Sequence, residues 1–425
     1  MKNADFFKNK KIIIVGMARS GLSCARLLAD LGAKVFVTDN SDSAQLRPVA
    51  DDLMRLGVEV ELGRHTPEFI SGADLLVISP GVTDDSLPVR LALSSKIPVI
   101  SEIEIASMLC PAPIIAVTGA CGKTTVTTLI GEVIKASGKH VFVCGNIGNP
   151  FCGEVAKVKE GDFISLEVSS FQLEKVDTFK PKISVILNFS ANHLDRYSSL
   201  DDYLMAKKRI FMNQDEKDYL VLNADDPVVR KLEHETKARV IKFYESAAFN
   251  SNQAAVIAVA RILGIEQSVC SEVFRGFRGL EHRFESVAEV NNIKFINDSK
   301  ATTVESAISA IRNISGKIIL IAGGKDKGVA YGDILPFAQG KVKEVILIGQ
   351  AAEKIKNALG SALKISHAAT LRDAVKQAYL AAEGGDYVLL SPMCSSFDMF
   401  SNYEERGKVF KNLVYELVKE GAPQR

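Results

Sequence analysis

Short runs rich in isoleucine and valine recur along this 425-residue chain without the polar alternation of a half-exposed sheet. Such runs are typical of strands buried on both faces of a parallel sheet. Longer amphipathic stretches separate them, and this alternation indicates an α/β fold. The predicted strands are 11–15, 34–38, 74–79, 114–118, 141–144, 162–168, 183–188, 219–223, 317–322, 344–348 and 387–391, and the clearest predicted helices are 21–30, 124–136, 201–211, 254–263 and 404–420.

Breaks in this pattern divide the chain into three domains. A strand near 98–100 is followed by a new segment ending in CPAP, and the polar, glycine-containing run RGLEHRFE at 278–285 precedes a restart of the strand pattern. We therefore predict domains at 1–100, 101–279 and 280–425. The predicted fold class is α/β, with a Rossmann-like N-terminal domain, a central P-loop mononucleotide-binding domain and a Rossmann-like C-terminal domain.

Composition excludes several classes of function. Lys+Arg total 52 and Asp+Glu 51, so no charge excess favours a nucleic-acid partner or a charged membrane surface. No apolar run reaches the roughly 20 residues of a membrane span, and the first residues lack a signal-peptide pattern. Seven scattered cysteines without a CxxC pair suggest free thiols in a reducing compartment. We expect a cytoplasmic monomer without membrane insertion.

Residues 118–125 read TGACGKTT and lie between a predicted buried strand and a predicted helix. Backbone N–H groups of such a glycine-rich turn, backed by a helix N-terminus, bind phosphate. Lys123 could then reach the terminal phosphates, and the Thr124 hydroxyl could ligate Mg²⁺. Val117 stands where the strict Walker pattern has glycine, so the loop is short. A chance GKT in a surface turn is the alternative, and ATP or another nucleoside triphosphate is the predicted ligand.

A second glycine turn, 16–21, follows the first predicted strand, and Asp39 ends the second. The spacing is similar to a dinucleotide fingerprint, but Ala18 replaces the glycine that lets the backbone approach a pyrophosphate. Arg19 and Ser20 offer side-chain contacts to phosphate instead. We predict a nucleotide-diphosphate site that does not take NAD, with a packing turn as the alternative.

Three further side chains carry possible chemistry. Glu167 ends a buried strand, and a buried carboxylate near a phosphate loop suggests Mg²⁺ as its partner. His193 follows another strand, although a lone histidine is usually structural and Mg²⁺ prefers oxygen. Lys207 belongs to a basic run on a predicted helix, and the common role of such a run is a solvated face.

Ten segments occur in an order that strongly resembles the ATP-dependent Mur ligases of peptidoglycan synthesis, most of all the members that add D-glutamate. They are TGxxGKTT, CGNIG (144–148), LEVSSFQLE (166–174), NHLDRY (192–197), AKKRIF (206–211), NADDP (223–227), EHRFE (281–285), INDSKAT (296–302), AGGKDKG (322–328) and SPMCSSFDMFSNYEERG (391–407). The resemblance covers nearly the whole chain. It is therefore far more specific than the phosphate loop alone.

The resemblance implies a ligase that uses ATP to phosphorylate the carboxylate of UDP-N-acetylmuramoyl-L-alanine and lets the amine of D-glutamate attack the acyl phosphate. A carboxylate is a poor electrophile, and phosphorylation supplies the leaving group. ADP and phosphate are released. Two Mg²⁺ sites are implied, and Lys207 matches the position where the family carries a carbamylated lysine, which would be an anionic oxygen ligand.

The resemblance also assigns roles by position. The nucleotide residues implied are Thr118, Gly119, Gly122, Lys123, Thr124, Thr125, Asn223, Asp225, Arg283 and Asp298. The implied metal ligands are Thr124 and Glu167 for one ion, His193 for a second, and Lys207. The implied contacts to the UDP-linked substrate are Arg19, Ser20, Asp39, Ser79, Gly81 and Asn146. Lys300, Thr302, Lys327, Ser396 and Tyr403 are implied to hold D-glutamate, whose two carboxylates need cationic and hydroxyl donors.

Four positions depart from the family pattern. Cys121, Asn192, Thr303 and Tyr403 stand where Asn, Asp, Asn and Phe are usual. None of these changes removes a primary ligand, so an active enzyme is expected.

Other functions match parts of the sequence. The alternative most similar to the predicted function is a Mur ligase that adds a different amino acid. A folylpolyglutamate synthase is a poorer match, because those enzymes lack an N-terminal unit like 1–100. A P-loop switch or kinase would not need Lys207, and an NAD-dependent oxidoreductase conflicts with Ala18. A silent binding protein should have lost Lys123 or Glu167.

Overall fold

The structure is a computed structural model that describes residues 1–44, 46–190, 196–277, 279–326 and 328–419. The chain divides into two compact units, 1–276 and 277–425. The first unit contains two sheets and the second contains one. Within the described ranges, no helix combines the length and the apolar character needed to cross a membrane.

The first sheet has five parallel strands. Its elements in chain order are β1 (Lys11–Val15), α1 (Arg19–Asp30), β2 (Lys34–Asp39), α2 (Arg47–Arg55), β3 (Glu59–Leu62), α3 (Pro67–Ile70), β4 (Leu75–Ile78), α4 (Leu87–Ser94), β5 (Val99–Ser101) and α5 (Glu102–Leu109). The strand order is β3-β2-β1-β4-β5. This order reverses direction beside β1, and ligands of open α/β sheets bind at such switch points.

The second sheet has six parallel strands. Its elements are β6 (Ile114–Thr118), α6 (Lys123–Ala136), β7 (Val141–Gly145), α7 (Phe151–Glu154), β8 (Phe163–Glu167), α8 (Ser170–Leu173), β9 (Ile183–Ile186), α9 (Leu200–Lys208), β10 (Tyr219–Asn223), β11 (Arg239–Phe243), α10 (Ser251–Ile262) and α11 (Gln267–Gly276). The strand order is β11-β10-β9-β6-β8-β7. Since all pairs are parallel, the segments after β6, β7, β8 and β9 emerge at one edge.

The third sheet forms the second unit. Its elements are β12 (Glu285–Val290), β13 (Ile293–Asn297), α12 (Val304–Asn313), β14 (Ile318–Gly323), α13 (Leu335–Ala338), β15 (Val342–Ile348), α14 (Ala352–Leu359), β16 (Ile365–His367), α15 (Leu371–Ala381), β17 (Tyr387–Leu390) and α16 (Tyr403–Lys419). The strand order is β12-β13-β17-β14-β15-β16. Only the β12–β13 pair is antiparallel among the paired strands of the described chain.

Burial on both faces explains the unbroken apolar strands. In β1, Ile12 and Ile14 belong to one apolar cluster, whereas Ile13 and Val15 belong to another on the opposite face. All four side chains are buried, and each such burial contributes roughly 1.5–3 kcal/mol. The predicted α/β class with buried parallel strands is therefore confirmed in all three sheets.

Candidate functional site: a phosphate loop and its neighbours

The loop between β6 and α6 places a turn of backbone at the carboxyl edge of the second sheet. Gly122 caps α6 with a φ of +81°, which is unfavourable for residues with a β-carbon. A β-carbon at Gly122 would also lie 2.5 Å from Asn252 Oδ1 of α10. The positive φ therefore favours glycine here, and any other residue would also require the Asn252 side chain to move. The predicted strand–turn–helix context of a phosphate-binding loop is present.

Two threonines of this loop hold buried hydroxyl groups. Thr118 ends β6 and Thr124 lies in the first turn of α6, and both side chains are buried. Neither Oγ1 atom has a hydrogen-bond partner among the residues described. Thr125 follows in the same turn and is partly exposed. A buried hydroxyl without a partner is costly, so a ligand oxygen or cation at this place would stabilise the loop.

Lys123 folds back over the loop. Its Nζ donates to Gly119 O at 2.9 Å and to Ala120 O at 3.0 Å. The ammonium group therefore lies directly beside the turn that phosphate groups would occupy. Its position is the one expected for a lysine that neutralises transferred phosphate charge.

Glu167 ends β8, directly beside β6 in the sheet. Its side chain is fully buried, and Oε1 accepts a hydrogen bond of 2.7 Å from Asn146 Nδ2. Asn146 also donates its backbone N–H to Glu167 O at 2.9 Å. Oε2 has no hydrogen-bond partner within the described chain. The carboxylate is thus oriented by the 145–148 turn and keeps one oxygen available.

Lys207 lies in the last turn of α9 and is almost completely buried. Its Nζ donates to Gly119 O at 2.9 Å, the same carbonyl that Lys123 contacts, and lies 4.5 Å from the Tyr203 ring centroid. Burial, and next the nearby charge of Lys123, hold the pKa of Lys207 well below its usual range. The basic run at 206–209 is therefore not a uniformly solvated face.

The donors around the loop fit a magnesium ion. Magnesium prefers oxygen, and the buried Thr124 Oγ1 and Glu167 Oε2 are oxygen atoms that lack partners within the described residues. No cluster of three or more His, Cys, Asp and Glu side chains that could hold a metal occurs in the described ranges. His193, the ligand expected for a second ion, and the departure at Asn192 lie outside those ranges.

Asn223 ends β10 and Asp225 follows it, at the same edge of the sheet. Asn223 Nδ2 donates to Leu187 O at 2.9 Å, and Asn223 Oδ1 accepts from the backbone N–H of Asp225 at 3.0 Å. Asp225 is exposed, and its Oδ2 accepts from the backbone N–H of Glu245 at 2.8 Å. These contacts tie the turn after β10 to the segment that flanks the phosphate loop.

Asn188 is a site residue whose role sequence reasoning missed. Its Oδ1 accepts from Cys121 N at 2.8 Å, its Nδ2 donates to Cys121 O at 3.2 Å, and its backbone carbonyl accepts from Ala120 N at 3.2 Å. Asn188 therefore clamps the phosphate loop from β9. Only its proximity to the NHLDRY segment hinted at this, because the pairing depends on the strand order β9-β6.

A separate cavity of about 500 Å³ lies at the switch point of the first sheet. Its lining includes five predicted substrate residues: Arg19, Ser20, Asp39, Ser79 and Gly81. Asp39 Oδ2 accepts from Met17 N at 2.7 Å, so this carboxylate also shapes the glycine turn. His65, which also lines the cavity, was not predicted; its Nδ1 lies 2.7 Å from Thr38 Oγ1, and burial lowers its pKa.

The 145–148 turn connects this cavity to the phosphate loop within the first unit. Arg19 NH2 donates to Gly148 O, and Asn146 of the same turn holds Glu167. The predicted substrate residue Asn146 is exposed. One short turn therefore contacts both Arg19 of the predicted substrate site and Glu167 beside the phosphate loop.

In the second unit, Asp298 follows β13 and is buried. Its Oδ2 accepts from Ser391 Oγ at 3.0 Å, and its Oδ1 accepts from the backbone N–H of Phe284 at 3.1 Å. Burial raises the pKa of Asp298 to about 7, against these two hydrogen bonds and the nearby charge of Arg283. Asp298 and Arg283 thus lie close together, and their role toward a nucleotide stays a prediction.

The residues predicted to bind an amino acid lie at the carboxyl ends of β13 and β17. Lys300 Nζ lies 5.0 Å from the Tyr403 ring centroid, and Thr302 N donates to Lys300 O at 2.8 Å. Ser396 is buried in the segment after β17. Thr303, a departure from the family pattern, caps α12 by accepting from Ser306 N at 3.3 Å. Lys327 lies outside the described residues.

Arg406 was not predicted and is the largest fully buried side chain of the described residues. Its Nε donates to Ser299 Oγ at 3.0 Å, and its NH2 donates to the carbonyls of Ser299 and Cys394 at 2.8 and 3.2 Å. These bonds fasten α16 to the ends of β13 and β17. Burial lowers its pKa to about 10, so it stays a cation at neutral pH.

Comparison with known domains places three matches along the chain. Residues 10–101 match the MurD-like N-terminal domain of Mur ligases, and residues 117–273 match the Mur ligase middle domain. Residues 282–394 match the Mur ligase glutamate ligase domain. Together these ranges cover most of the chain and correspond to the three sheets.

Curated relatives extend the likeness over the full length. The UDP-N-acetylmuramoylalanine–D-glutamate ligase of Thermoanaerobacter pseudethanolicus is 41% identical, covering 96% of this chain and 99% of its own. The protein of the same name from Geotalea uraniireducens is 42% identical, covering 96% of this chain and 98% of its own.

Solved structures share the fold at lower identity. The UDP-N-acetylmuramate–alanine ligase of Thermotoga maritima has a TM-score of 0.60 at 20% identity, covering 96% of this chain and 99% of that chain. A MurF ligase of the same organism, solved in complex with ADP, has a TM-score of 0.59 at 14% identity, covering 99% and 98%. The domain matches and the full-length relatives show that this chain belongs to the Mur ligase family.

Proposed function

We propose that this protein is an ATP-dependent ligase that joins D-glutamate to the carboxylate of UDP-N-acetylmuramoyl-L-alanine, releasing ADP and phosphate, in peptidoglycan precursor synthesis. The observation that carries the proposal is the 41–42% identity, over 96% of the chain, to curated relatives that bear this name. The phosphate loop with two lysines and one buried carboxylate supports the phosphoryl-transfer half of the reaction.

In the first step, a carboxylate oxygen of the UDP-linked substrate attacks the γ-phosphorus of ATP, giving an acyl phosphate and ADP. The backbone of 118–124 holds the phosphate groups, and Lys123 offsets the charge that develops on the transferred group. Preorganised charges of this kind are most effective where water is excluded. The contacts of Lys123 with Gly119 and Ala120 show that its ammonium group already lies at the loop.

In the second step, the amine of D-glutamate attacks the acyl carbon, and a tetrahedral intermediate collapses to the amide and phosphate. We assign Lys300, Thr302, Lys327, Ser396 and Tyr403 to D-glutamate. We assign Arg283 and Asp298, with Asn223 and Asp225, to the nucleotide. Cationic and hydroxyl donors suit the two carboxylates of the amino acid.

For magnesium, we assign Thr124 and Glu167 to one ion and His193 to a second, with carbamylated Lys207 as a further magnesium ligand. When bound, Mg²⁺ neutralises phosphate charge and orients the reacting oxygens. The unpartnered, buried oxygen atoms of Thr124 and Glu167 support this assignment.

Carbamylation of Lys207 is supported by its surroundings. The side chain is buried against a carbonyl, an aromatic ring and a second lysine, and no carboxylate of the described residues pairs with its Nζ. A lysine whose pKa is lowered is partly neutral, and the neutral amine is the form that adds to CO₂. The carbamate would turn an unfavourable buried cation into an anionic oxygen ligand.

We keep the domain limits 1–100, 101–279 and 280–425 as part of the proposal. The three sheets and the three matched ranges support them, with β5 ending at Ser101 and the second unit beginning at Phe277. A cytoplasmic location and a monomeric state remain predictions from the sequence.

The deciding experiment offers the purified protein ATP, Mg²⁺ and UDP-N-acetylmuramoyl-L-alanine together with D-glutamate, L-glutamate, L-alanine or diaminopimelate. ADP release and the product mass are measured for each amino acid. We expect turnover with D-glutamate and a product heavier by one glutamyl residue. Turnover with another amino acid only would favour a different branch of the family, and ADP release that ignores the UDP-linked substrate would contradict the proposal.

A further inference from the structure

Arg196 of the central domain contacts the turn that lines the switch-point cavity of the N-terminal domain. Its NH1 donates to Pro80 O at 2.9 Å, and its NH2 donates to Val82 O at 3.1 Å. Pro80 and Val82 both line the cavity. A single guanidinium group therefore fixes two carbonyls on either side of Gly81, which no lysine could do with the same planar fork.

The guanidinium group is itself held in place from the central domain. Glu174, at the end of α8, accepts from Arg196 NH2 at 2.7 Å and from Tyr197 OH at 2.5 Å. The face of Arg196 lies 4.4 Å from the Phe171 ring centroid. Arg196 and Glu174 side chains are only 15% and 18% exposed, so the pair is well shielded from solvent screening.

A series of aromatic contacts leads from Arg196 and Glu174 to the phosphate loop. The Tyr197 ring centroid lies 5.1 Å from that of Tyr203, and the Tyr203 ring lies beside Lys207 Nζ. Lys207 in turn contacts Gly119 of the phosphate loop. The side chains that hold the 79–82 turn are therefore packed against those that surround the phosphate loop.

We infer that Arg196 is a positioning residue that fixes the 79–82 turn against the central domain, so that a substrate held in the cavity presents its carboxylate to the phosphate loop. This inference rests on the proposed function, because it takes the cavity as the site of the UDP-linked substrate. Arg196 acts through the 79–82 turn and does not need to touch the substrate. Arg196 instead sets the position of the 79–82 turn of the N-terminal domain relative to the central domain, within the first unit.

The test measures two dissociation constants separately by calorimetry, for UDP-N-acetylmuramoyl-L-alanine and for ADP with Mg²⁺, in wild type, Arg196→Lys and Arg196→Ala. We expect the UDP-substrate constant to rise about tenfold in Arg196→Lys, since at least one carbonyl contact is lost, and further in Arg196→Ala. The ADP constant should stay within about twofold of wild type. In turnover, KM for the UDP-linked substrate should rise while KM for ATP does not.

A matched control crosses the same domain boundary. Lys175 Nζ pairs with Asp84 at 2.8 Å, but the Asp84 side chain is 63% exposed. Exposed ion pairs contribute little to stability, so Lys175→Ala should leave the dissociation constants for the UDP-linked substrate and for ADP near their wild-type values. Glu174→Gln should shift the UDP-substrate constant in the same direction as Arg196→Lys, and its effect should not add fully to that of Arg196→Lys because the two residues act together.

The outcomes separate the inference from the proposed function. Equal weakening of ADP and UDP-substrate binding, with a lowered melting temperature, would show a general structural role and overturn the inference. Unchanged UDP-substrate binding in both Arg196 variants would overturn it as well. If wild type itself fails to bind the UDP-linked substrate, the proposed function is what falls.

Discussion

Glu102 is a buried carboxyl group outside the proposed reaction. It begins α5 at the junction of the first two domains, and its Oε1 accepts from Cys152 N at 2.6 Å. Burial raises the pKa of Glu102 to about 7, although the hydrogen bonds from Cys152 oppose the shift. The folded protein therefore favours the protonated form of this group. Ionising it costs free energy of folding.

The sign of the pH dependence follows from this shift. A group whose pKa rises on folding stabilises the fold fully below its unfolded value and loses that contribution as pH rises through about 7. Glu102→Gln cannot ionise and keeps the acceptor for Cys152. Relative to wild type, the variant should gain stability between pH 5 and pH 8, by at most on the order of 3 kcal/mol.

Urea unfolding midpoints of wild type and Glu102→Gln at pH 5 and pH 8 would measure this change. Glu132→Gln, at an exposed position of α6, serves as the control and should show no comparable difference between the two pH values. A constant offset between wild type and Glu102→Gln at both pH values would contradict the assigned pKa.

Lys207 leads to a second prediction at the scale of a residue. Lys207→Ala should lower kcat by about a hundredfold or more, because the proposed carbamate, an anionic ligand at the phosphate loop, would be lost. Short carboxylic acids such as acetate should restore part of the activity by supplying the missing oxygens. Steady-state rates with and without added acid measure the effect.

The adjacent lysine provides the control for this experiment. Lys208 pairs with Glu235 rather than with the phosphate loop. Lys208→Ala should retain most activity and gain nothing from added acid. If Lys207→Ala is equally insensitive to the acids, the carbamate assignment is wrong.

At the scale of elements, most strands between two neighbours could be predicted and most edge strands could not. The predicted ranges 11–15, 114–118 and 219–223 agree with β1, β6 and β10, whose side chains are almost all buried. The strands absent from the prediction are β3, β11, β12, β13 and β16, and all of them except β13 lie at sheet edges. An edge strand is short or alternating, so its regularity depends on a pairing partner that the sequence does not reveal.

The β12–β13 hairpin shows the same limit. Asn291 and Asn292 form its turn with φ of +50° and +60°, as a tight two-residue turn requires. An Asn-Asn pair is a recognisable turn signal, yet the flanking strands alternate too weakly to draw attention to it. Strand ends also differ from the prediction where the chain makes other contacts. The strand predicted at 183–188 ends at Ile186, because Asn188 bonds to the phosphate loop.

The candidate site was predictable where one segment carries the chemistry. The phosphate loop and Glu167 follow from local patterns, because each lies at the end of one buried strand. Asn188 and Arg196 were missed because their partners are distant in sequence, Cys121 and residues 80–82 respectively. Such pairings depend on strand order and domain packing, which no local pattern encodes.

Asn188, which follows β9, holds the phosphate loop that follows β6, and the effect of this clamp can be tested. Asn188→Ala removes both side-chain hydrogen bonds to Cys121 and should loosen the phosphate loop. We expect KM for ATP to rise about tenfold, the equivalent of roughly one hydrogen bond, with KM for the UDP-linked substrate nearly unchanged. Steady-state kinetics with each substrate varied in turn measure both values.

Asn213→Ala is the matched control for Asn188→Ala. Asn213 Nδ2 donates to Asp177 O and Phe179 O in the same domain, away from the phosphate loop. Its loss should leave KM for ATP unchanged. An Asn188→Ala enzyme with wild-type KM for ATP would show that the loop holds its shape without the clamp.

At the scale of the whole molecule, the proposed steps draw on different parts of the chain. The phosphate loop, Glu167 and Lys207 belong to the first unit, whereas Ser396, Lys300 and Thr302 belong to the second. In the proposed mechanism, formation of the acyl phosphate needs the first set, and capture by D-glutamate needs the second. Variants of the two sets should therefore fail at different steps.

Hydroxylamine can separate these steps, since it attacks an acyl phosphate to give a hydroxamate and free phosphate. Without D-glutamate, Lys123→Ala should form hydroxamate at least about a hundredfold more slowly than wild type, because the phosphoryl charge is no longer neutralised. Ser396→Ala should form it at a rate close to wild type. With D-glutamate present, Ser396→Ala should show a KM for the amino acid raised about tenfold, as expected for one lost polar contact to a carboxylate. Hydroxamate is measured by mass spectrometry and turnover by ADP release; loss of hydroxamate in Ser396→Ala would place this serine in the phosphoryl-transfer step and contradict the division between the two sets of residues.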